Sequence, residues 1–179
     1  NVLFTVIDGE EVAAVHYQNS VLLDVEVPRY FPPNGISNCR VAIFDASLEL
    51  PRLDTALVLS SSLSETEALV LQQFCSLCER SGVHVLITQR RMHPYLQLLL
   101  HRCGIICLPR ASALHIGLLQ RLSGAQQMGG IGPTAERFQE TSIGFLQQLE
   151  VITHGAKKLL RATCDSSCMA LEVTLPNTY

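Results

Sequence analysis

Seven cysteines stand out first, because their spacing decides which chemistry they suit. Cys75-Ser76-Leu77-Cys78 has the C-x-x-C spacing found in redox and zinc sites, and Cys103/Cys107 and Cys164/Cys168 are pairs four residues apart. A structural zinc ion needs four ligands, which a second C-x-x-C or a His pair at finger spacing would supply. Neither is present. The odd count and low density also argue against a disulfide scaffold. The expectation is reduced thiols, most of them buried as small apolar side chains, in a cytosolic or nuclear setting. Zinc is the sharper alternative.

Other reactive patterns are weaker. Gly129-Gly130-Ile131-Gly132 invites comparison with a phosphate-cradling loop, which needs a lysine to neutralise phosphate. The only lysines are Lys157 and Lys158. No clear strand leads into these glycines, as a dinucleotide fold requires, so the stretch reads as a flexible loop. Nor is there a G-x-S-x-G elbow or another recognisable nucleophile with its base. No catalytic residue, metal or cofactor is assigned, and an unrecognised α/β enzyme stays open only as a third alternative.

Arg90, Arg91, His93, His101, Arg102 and Arg110 form a local basic group in a chain of net charge −3 and pI about 6.1. A nucleic-acid surface calls for more positive charge and stacking aromatics, and aromatic residues are only 6% here. On a helix over 94–103, Arg91, Tyr95, Leu98 and Arg102 share an outer face, with Leu96, Leu99, Leu100 and Cys103 turned inward. A solvated face and a protein-contact surface both fit. Leu98, with no obvious core to fill, and Leu99 at the boundary speak for contact. Tyr30 and Phe31 sit in a Pro-rich loop, either as a binding tip or folded back onto the core.

The elements that must position these residues begin as β. Strands are expected over 2–7, 21–27 and 40–44; Asp8-Gly9 ends the first, and the prolines and Asn34-Gly35 of 28–35 interrupt the second. The clearest helix starts at Ser64, where Ser64 and Glu67 form a capping box. Val70, Phe74, Leu77 and Cys78 share one face of it, and Gly82 serves as the left-handed cap. A strand over 83–87, the helix over 94–103, a strand over 105–108 and a helix from Ser112 to about 122 make a βαβα unit with a parallel strand pair. Pro94 opens its first helix and Gly104 lies just past the end. Residues 128–133 read as loop. A hairpin of 145–153 with 157–163 around His154-Gly155, and a strand over 169–175, return the chain to β. The fold class is mixed α/β, a sheet or sandwich core with flanking helices, in one domain over 1–179. Hydrophobic residues at 47% and charged residues at 16%, against about a quarter charged in ordinary domains, exclude a disordered chain. No apolar run approaches the roughly 18 residues of a membrane-spanning helix. The first residue is Asn1 and no signal-peptide pattern follows, so the expectation is a domain excised from a longer chain.

Several strings, in order, resemble the apical domain of group II chaperonins. Ser20-Val21-Leu22-Leu23-Asp24 is similar to that family's Gly-Ile-Leu-Ile-Asp strand. Asn38-Cys39-Arg40-Val41-Ala42-Ile43-Phe44-Asp45, followed by Leu48-Glu49, resembles Asn-Ala-Lys-Ile-Ala-Leu-Leu-Asp … Leu-Glu. Gly82-Val83-His84-Val85-Leu86-Ile87-Thr88-Gln89-Arg90 resembles Gly-Ala-Asn-Val-Val-Phe-x-Gln-Lys. Gly104 to Arg110 resembles Gly-Ile-x-Ala-x-Arg-Arg, with Pro109 replacing the first arginine. Ser123-Gly124-Ala125 is similar to Thr-Gly-Ala, and Ile143-Gly144 with the closing hairpin to the return strands. The resemblance spans about Val2 to Asn177. Two departures stand out: Arg91-Met92-His93-Pro94 replaces a charged Gly-Ile-Asp-Asp helix start, and 50–61 carries only Arg52 and Asp54 where relatives are rich in Lys and Glu. His93-Pro94-x-Leu96 and Gly124-Ala125-Gln126-x-x-Gly129 look closer to the McKusick–Kaufman and Bardet–Biedl syndrome chaperonin-like branch than to an ordinary ring subunit.

The resemblance implies a domain without its own ATP site, the nucleotide being held by a separate equatorial domain. It implies client recognition by helices lining a ring-facing groove, here 64–81 and 94–103, with a tip that includes 28–34. The protein-binding residues carried over are Leu69, Gln72, Gln73 and Ser76 on the first helix, Arg91, Tyr95, Leu98, Leu99 and Arg102 on the second, and Tyr30 and Phe31 at the tip. Partners are then a client or complex-subunit protein and other chaperonin subunits, with no nucleic acid and no membrane insertion. The branch implies help in assembling a ciliary trafficking complex, in the cytoplasm and at the centrosome or ciliary base. A purely structural packing domain is the remaining alternative, and the weakly charged 50–61 stretch speaks against a normal lid function.

Overall fold

The computed structural model describes residues 20–49, 63–129 and 140–164. The strands expected over 2–7 and 169–175, and the 50–61 stretch, lie outside the described residues. In chain order the elements are β1 (Ser20–Leu23), β2 (Ile36–Phe44), α1 (Glu65–Arg80), β3 (Val85–Thr88), α2 (Pro94–Arg102), β4 (Ile106–Leu108), α3 (Ala113–Ser123), β5 (Gln127–Met128), β6 (Gly144–His154) and β7 (Lys157–Thr163).

All the strands join one mixed sheet in the order β1-β7-β6-β2-β3-β4, with β5 also paired to β2. Among the described residues the core is therefore built on a single mixed sheet with flanking helices. The β6–β7 hairpin forms as expected, with His154 opposite Lys157, and β1 closes that edge antiparallel to β7. β2 is the strand at which the pattern changes. It runs antiparallel to β6 on one side and parallel to β3 on the other, and β4 extends the parallel half.

Burial on both faces explains the unbroken apolar runs. Val41, Ile43, Val85, Ile87, Ile106 and Leu108 point to one face and pack with Ile116, Leu119 and Leu122 of α3. Their alternates Ala42, Phe44, Leu86 and Cys107 point to the other and pack with Leu71, Phe74, Cys75 and Cys78 of α1 and with Leu96 and Leu100 of α2. A parallel strand covered by helices on both faces has no polar side to show, and side chains alternate between the two layers.

Four expectations need correction. β1 stops at Leu23 instead of reaching 27; Val25 and Val27 pack on the first cluster without a strand ladder. β2 begins at Ile36, not at 40, because Ile36, Ser37 and Cys39 find partners on β6. Gln127 and Met128 form β5 beside the end of β2, where a loop was expected to begin at 128. The buried face of α1 is Leu71, Phe74, Cys75 and Cys78; Val70 and Leu77 flank it half-buried.

Candidate protein-binding face on α1 and α2

Both helices have ends written in their sequence. Ser64 Oγ accepts from the Glu67 N–H at 3.2 Å while Glu67 Oε2 accepts from the Ser64 N–H at 2.9 Å, which completes the capping box. At α2 the cap is His93, whose Nδ1 accepts from the Tyr95 N–H at 3.1 Å, and Pro94 follows at the first helical position. Both helices close on a Schellman motif. Val83 N–H donates to the Cys78 carbonyl and Gly82 N–H to that of Glu79; Ile105 does the same to Leu100 and Gly104 to His101. Gly82 and Gly104 take φ of +68° and +75°, where a side chain is strained.

Contacts between the helices advance in the same direction along both. Gln72 Nε2 donates to Tyr95 Oη at 3.1 Å, and further on Cys75 Sγ lies 3.4 Å from Cys103 Sγ, which also reaches Glu79 Oε2 at 3.8 Å. The two helices thus lie side by side and parallel. Leu69 is 53% exposed and Leu98 44%, and Gln72, Gln73, Ser76, Arg91 and Arg102 are exposed as well. Tyr95 and Leu99 are half-buried and pack against the second core cluster. Tyr95 therefore belongs partly to the seam between the helices and not wholly to the outer face. The face is mixed, with two exposed leucines among amides, a hydroxyl and two guanidinium groups. Among the described residues the ion pairs are Lys157–Asp24 and Arg161–Glu150, in the antiparallel half of the sheet. Neither engages Arg91 or Arg102.

The tip residues divide. Phe31 is only 8% exposed and belongs to the first core cluster, so it is not part of a binding surface. The turn that donates Phe31 N–H to the Pro28 carbonyl folds it back. Tyr30 stays 40% exposed and rests on His101, with ring centroids 4.0 Å apart. The two border a cleft of about 480 Å³ that also includes Pro32 and His84.

Most thiols behave as packing groups. Burial raises Cys39 to about 11 and both Cys75 and Cys107 to about 12, and it pushes Cys78 up further. Cys103, expected on the inner face, is instead exposed at the end of α2. Cys168 lies outside the described residues. Among the described residues no three His, Cys, Asp or Glu side chains converge as metal ligands. The exposed Leu114 (63%) and Phe145 (42%) had no periodic signal that set them apart from core positions. The Cys75–Cys103 contact joins residues on two separate helices, which spacing along one helix cannot reveal.

Comparison with known proteins agrees with this architecture. The fold matches the open-state monomer of a group II chaperonin from Methanococcoides burtonii with a TM-score of 0.58, at 15% identity, over 81% of this chain and 32% of that one. Thermosome subunit beta of Aeropyrum pernix is 26% identical over 147 residues, 78% of this chain and 26% of its own length. Thermosome subunit gamma of Saccharolobus shibatae is 25% identical over 175 residues, covering 93% of this chain and 32% of that protein. The chain thus spans about a quarter to a third of the length of these relatives. The model of the TCP-1/cpn60 chaperonin family matches residues 1–173. With nearly the whole chain matched and the mixed sheet and flanking helices shared with a solved chaperonin, the chain belongs to the TCP-1/cpn60 chaperonin family.

Proposed function

We propose that this chain is the apical, client-recognising part of a chaperonin-like protein and that it works by binding alone. The observation that carries this reading is the outer face of α1 and α2. Leu69 and Leu98 stand exposed on helices whose inner sides are fully packed, so their exposure is not a gap in the core. Apolar side chains on such a face gain by covering apolar surface of another protein, at about 25 cal/mol per Å². Gln72, Gln73 and Ser76 offer hydrogen bonds around them, and Arg91 and Arg102 select for acidic neighbours. On this reading the domain uses no cofactor and performs no reaction; any ATPase belongs to an equatorial domain of the parent chain.

The finer reading places the parent in the McKusick–Kaufman and Bardet–Biedl branch, where it helps assemble a ciliary trafficking complex in the cytoplasm and at the ciliary base. Its support lies in His93-Pro94-x-Leu96 and Gly124-Ala125-Gln126-x-x-Gly129. His93 caps α2 in place of an acidic start, and Gly124 is the left-handed cap of α3. A second reading, an ordinary ring subunit, is favoured by the thermosome subunits among the relatives. Equatorial segments carrying a Gly-Asp-Gly-Thr phosphate string beside this region would favour the ring subunit, and their degeneration the divergent branch.

The test is capture of a chemically unfolded model protein by the purified chain. Leu69→Asp with Leu98→Asp is expected to leave far-UV circular dichroism unchanged and to abolish capture. Undiminished capture by the folded double variant overturns the proposal. Tyr95 is unsuitable for this test because its ring is part of the packed seam.

A further inference from the structure

The one described thiol that solvent reaches lies against a thiol that it does not. Cys103 caps the end of α2 and is exposed, whereas Cys75 is buried on α1 at 4% exposure. Their sulfurs are 3.4 Å apart. A disulfide closes that separation to about 2.05 Å, so the two sulfurs need to approach by about 1.4 Å more. The flanking elements favour such an approach, since Cys103 lies just past the last residue of a short helix and leads into the Gly104 turn.

We propose that Cys103 and Cys75 form an oxidant-sensitive thiol pair, in which a peroxide modifies Cys103 and Cys75 resolves it as a disulfide joining α2 to α1. In the first step the Cys103 sulfur, its proton lost, attacks one peroxide oxygen. The S–O bond forms, the O–O bond breaks, and the leaving hydroxide takes up the proton as water. Cys103 is then a sulfenic acid. In the second step the Cys75 sulfur attacks the Cys103 sulfur. The S–S bond forms, the S–O bond breaks, and hydroxide leaves with the Cys75 proton as a second water. The two thiols lose two electrons in all, and one hydrogen peroxide is reduced to two waters.

Exposure sets this order. Peroxide reaches Cys103 from solvent but is screened from Cys75. Burial, and after it the hydrogen bond with Cys103, also raises the Cys75 thiol to about 12, so it is poorly suited to attack first. Once a sulfenic acid stands beside it, the high effective concentration of the neighbouring sulfur offsets the small thiolate fraction of Cys75. In a reducing compartment the bridge forms transiently and is reopened by thiol exchange.

The experiment reads the covalent link, and its outcome does not depend on client binding. The purified chain is reduced, treated with stoichiometric hydrogen peroxide, alkylated and digested without reductant. The expected product is one crosslinked peptide joining Cys75 to Cys103, lighter by the two lost hydrogens. Cys103→Ser, at an exposed position, is expected to fold normally and to lose the crosslink. Cys75→Ser is expected to let Cys103 proceed to sulfinic acid. If Cys75→Ser does not fold, the wild-type and Cys103→Ser digests decide the matter. Over-oxidation of Cys103 in the wild type without a crosslink, or a crosslink from Cys103 to Cys78 or Cys107, overturns the proposal.

Discussion

Two leucines on α2, two residues apart, provide a direct test of how this helix divides its surface. Leu100 is 0% exposed within the second core cluster, and Leu98 is 44% exposed. Truncating Leu100 to alanine removes three buried carbons from the cluster that also holds Phe74, Leu96 and Ile105. Such changes cost about 2–5 kcal/mol. Truncating Leu98 sacrifices only partial burial, and alanine is the better helix former by a few tenths of a kcal/mol, so its effect should stay within about 0.5 kcal/mol. The two variants are therefore expected to differ by at least about 1.5 kcal/mol, more than tenfold in the folding equilibrium. Urea unfolding followed by circular dichroism measures this, provided the slope with denaturant is the same in both. Equal destabilisation would refute the reasoning, because Leu98 would then belong to the core and could not serve a partner. A neutral Leu100→Ala would refute it from the other side.

Two further expectations concern local structure. Ser64→Ala removes the hydroxyl that holds Glu67 N–H and is expected to lower stability by about 1 kcal/mol, with Ser64→Asp largely restoring it; denaturant midpoints of the three proteins check this. His115 is buried with no partner for Nδ1, and burial lowers its pKa below the ordinary 6.5, only partly opposed by the charge of Asp24. The unfolded chain then binds the proton more readily, so stability should fall as pH drops below about 6.5 towards the folded pKa. Urea midpoints across that range should slope less in His115→Gln, and identical slopes would count against it.

The sequence was most legible where a local device has a fixed geometry. Ser64 and Glu67 marked the start of α1, Gly82 and Gly104 marked the ends of α1 and α2, and the His154-Gly155 turn set the register of β6 and β7. It was less legible where neighbours decide. Val70, Leu71, Phe74, Cys75, Leu77 and Cys78 give α1 two overlapping apolar stripes, and only the position of the sheet and α2 selects the one containing Leu71 and Cys75. β5 has two residues, too few to show any period. Phe31 had two possible fates, and the turn at Pro28 together with the nearby core decided between them. The candidate face rests on resemblance to known domains and on the helical spacing of Tyr95, Leu98 and Arg102. Its seam, where Gln72 meets Tyr95 and Cys75 meets Cys103, depends on how two helices pack.

The change of direction at β2 also bears on how the chain reaches this structure. Within each half of the sheet some partners are near in sequence, such as the β6–β7 hairpin and the β3–α2–β4 crossover. The two halves meet where β2 pairs with β6, between residues about a hundred apart, such as Val41 and Gly144. Closing so long a loop in a flexible chain costs about 3 kcal/mol more than closing the hairpin, and distant pairings of this kind slow folding. The slow event is therefore expected at the middle of the sheet and not at its edges. Until it occurs, both central strands carry open hydrogen-bonding edges, and a chaperonin domain would itself be briefly open to the strand-to-strand association that chaperonins act against.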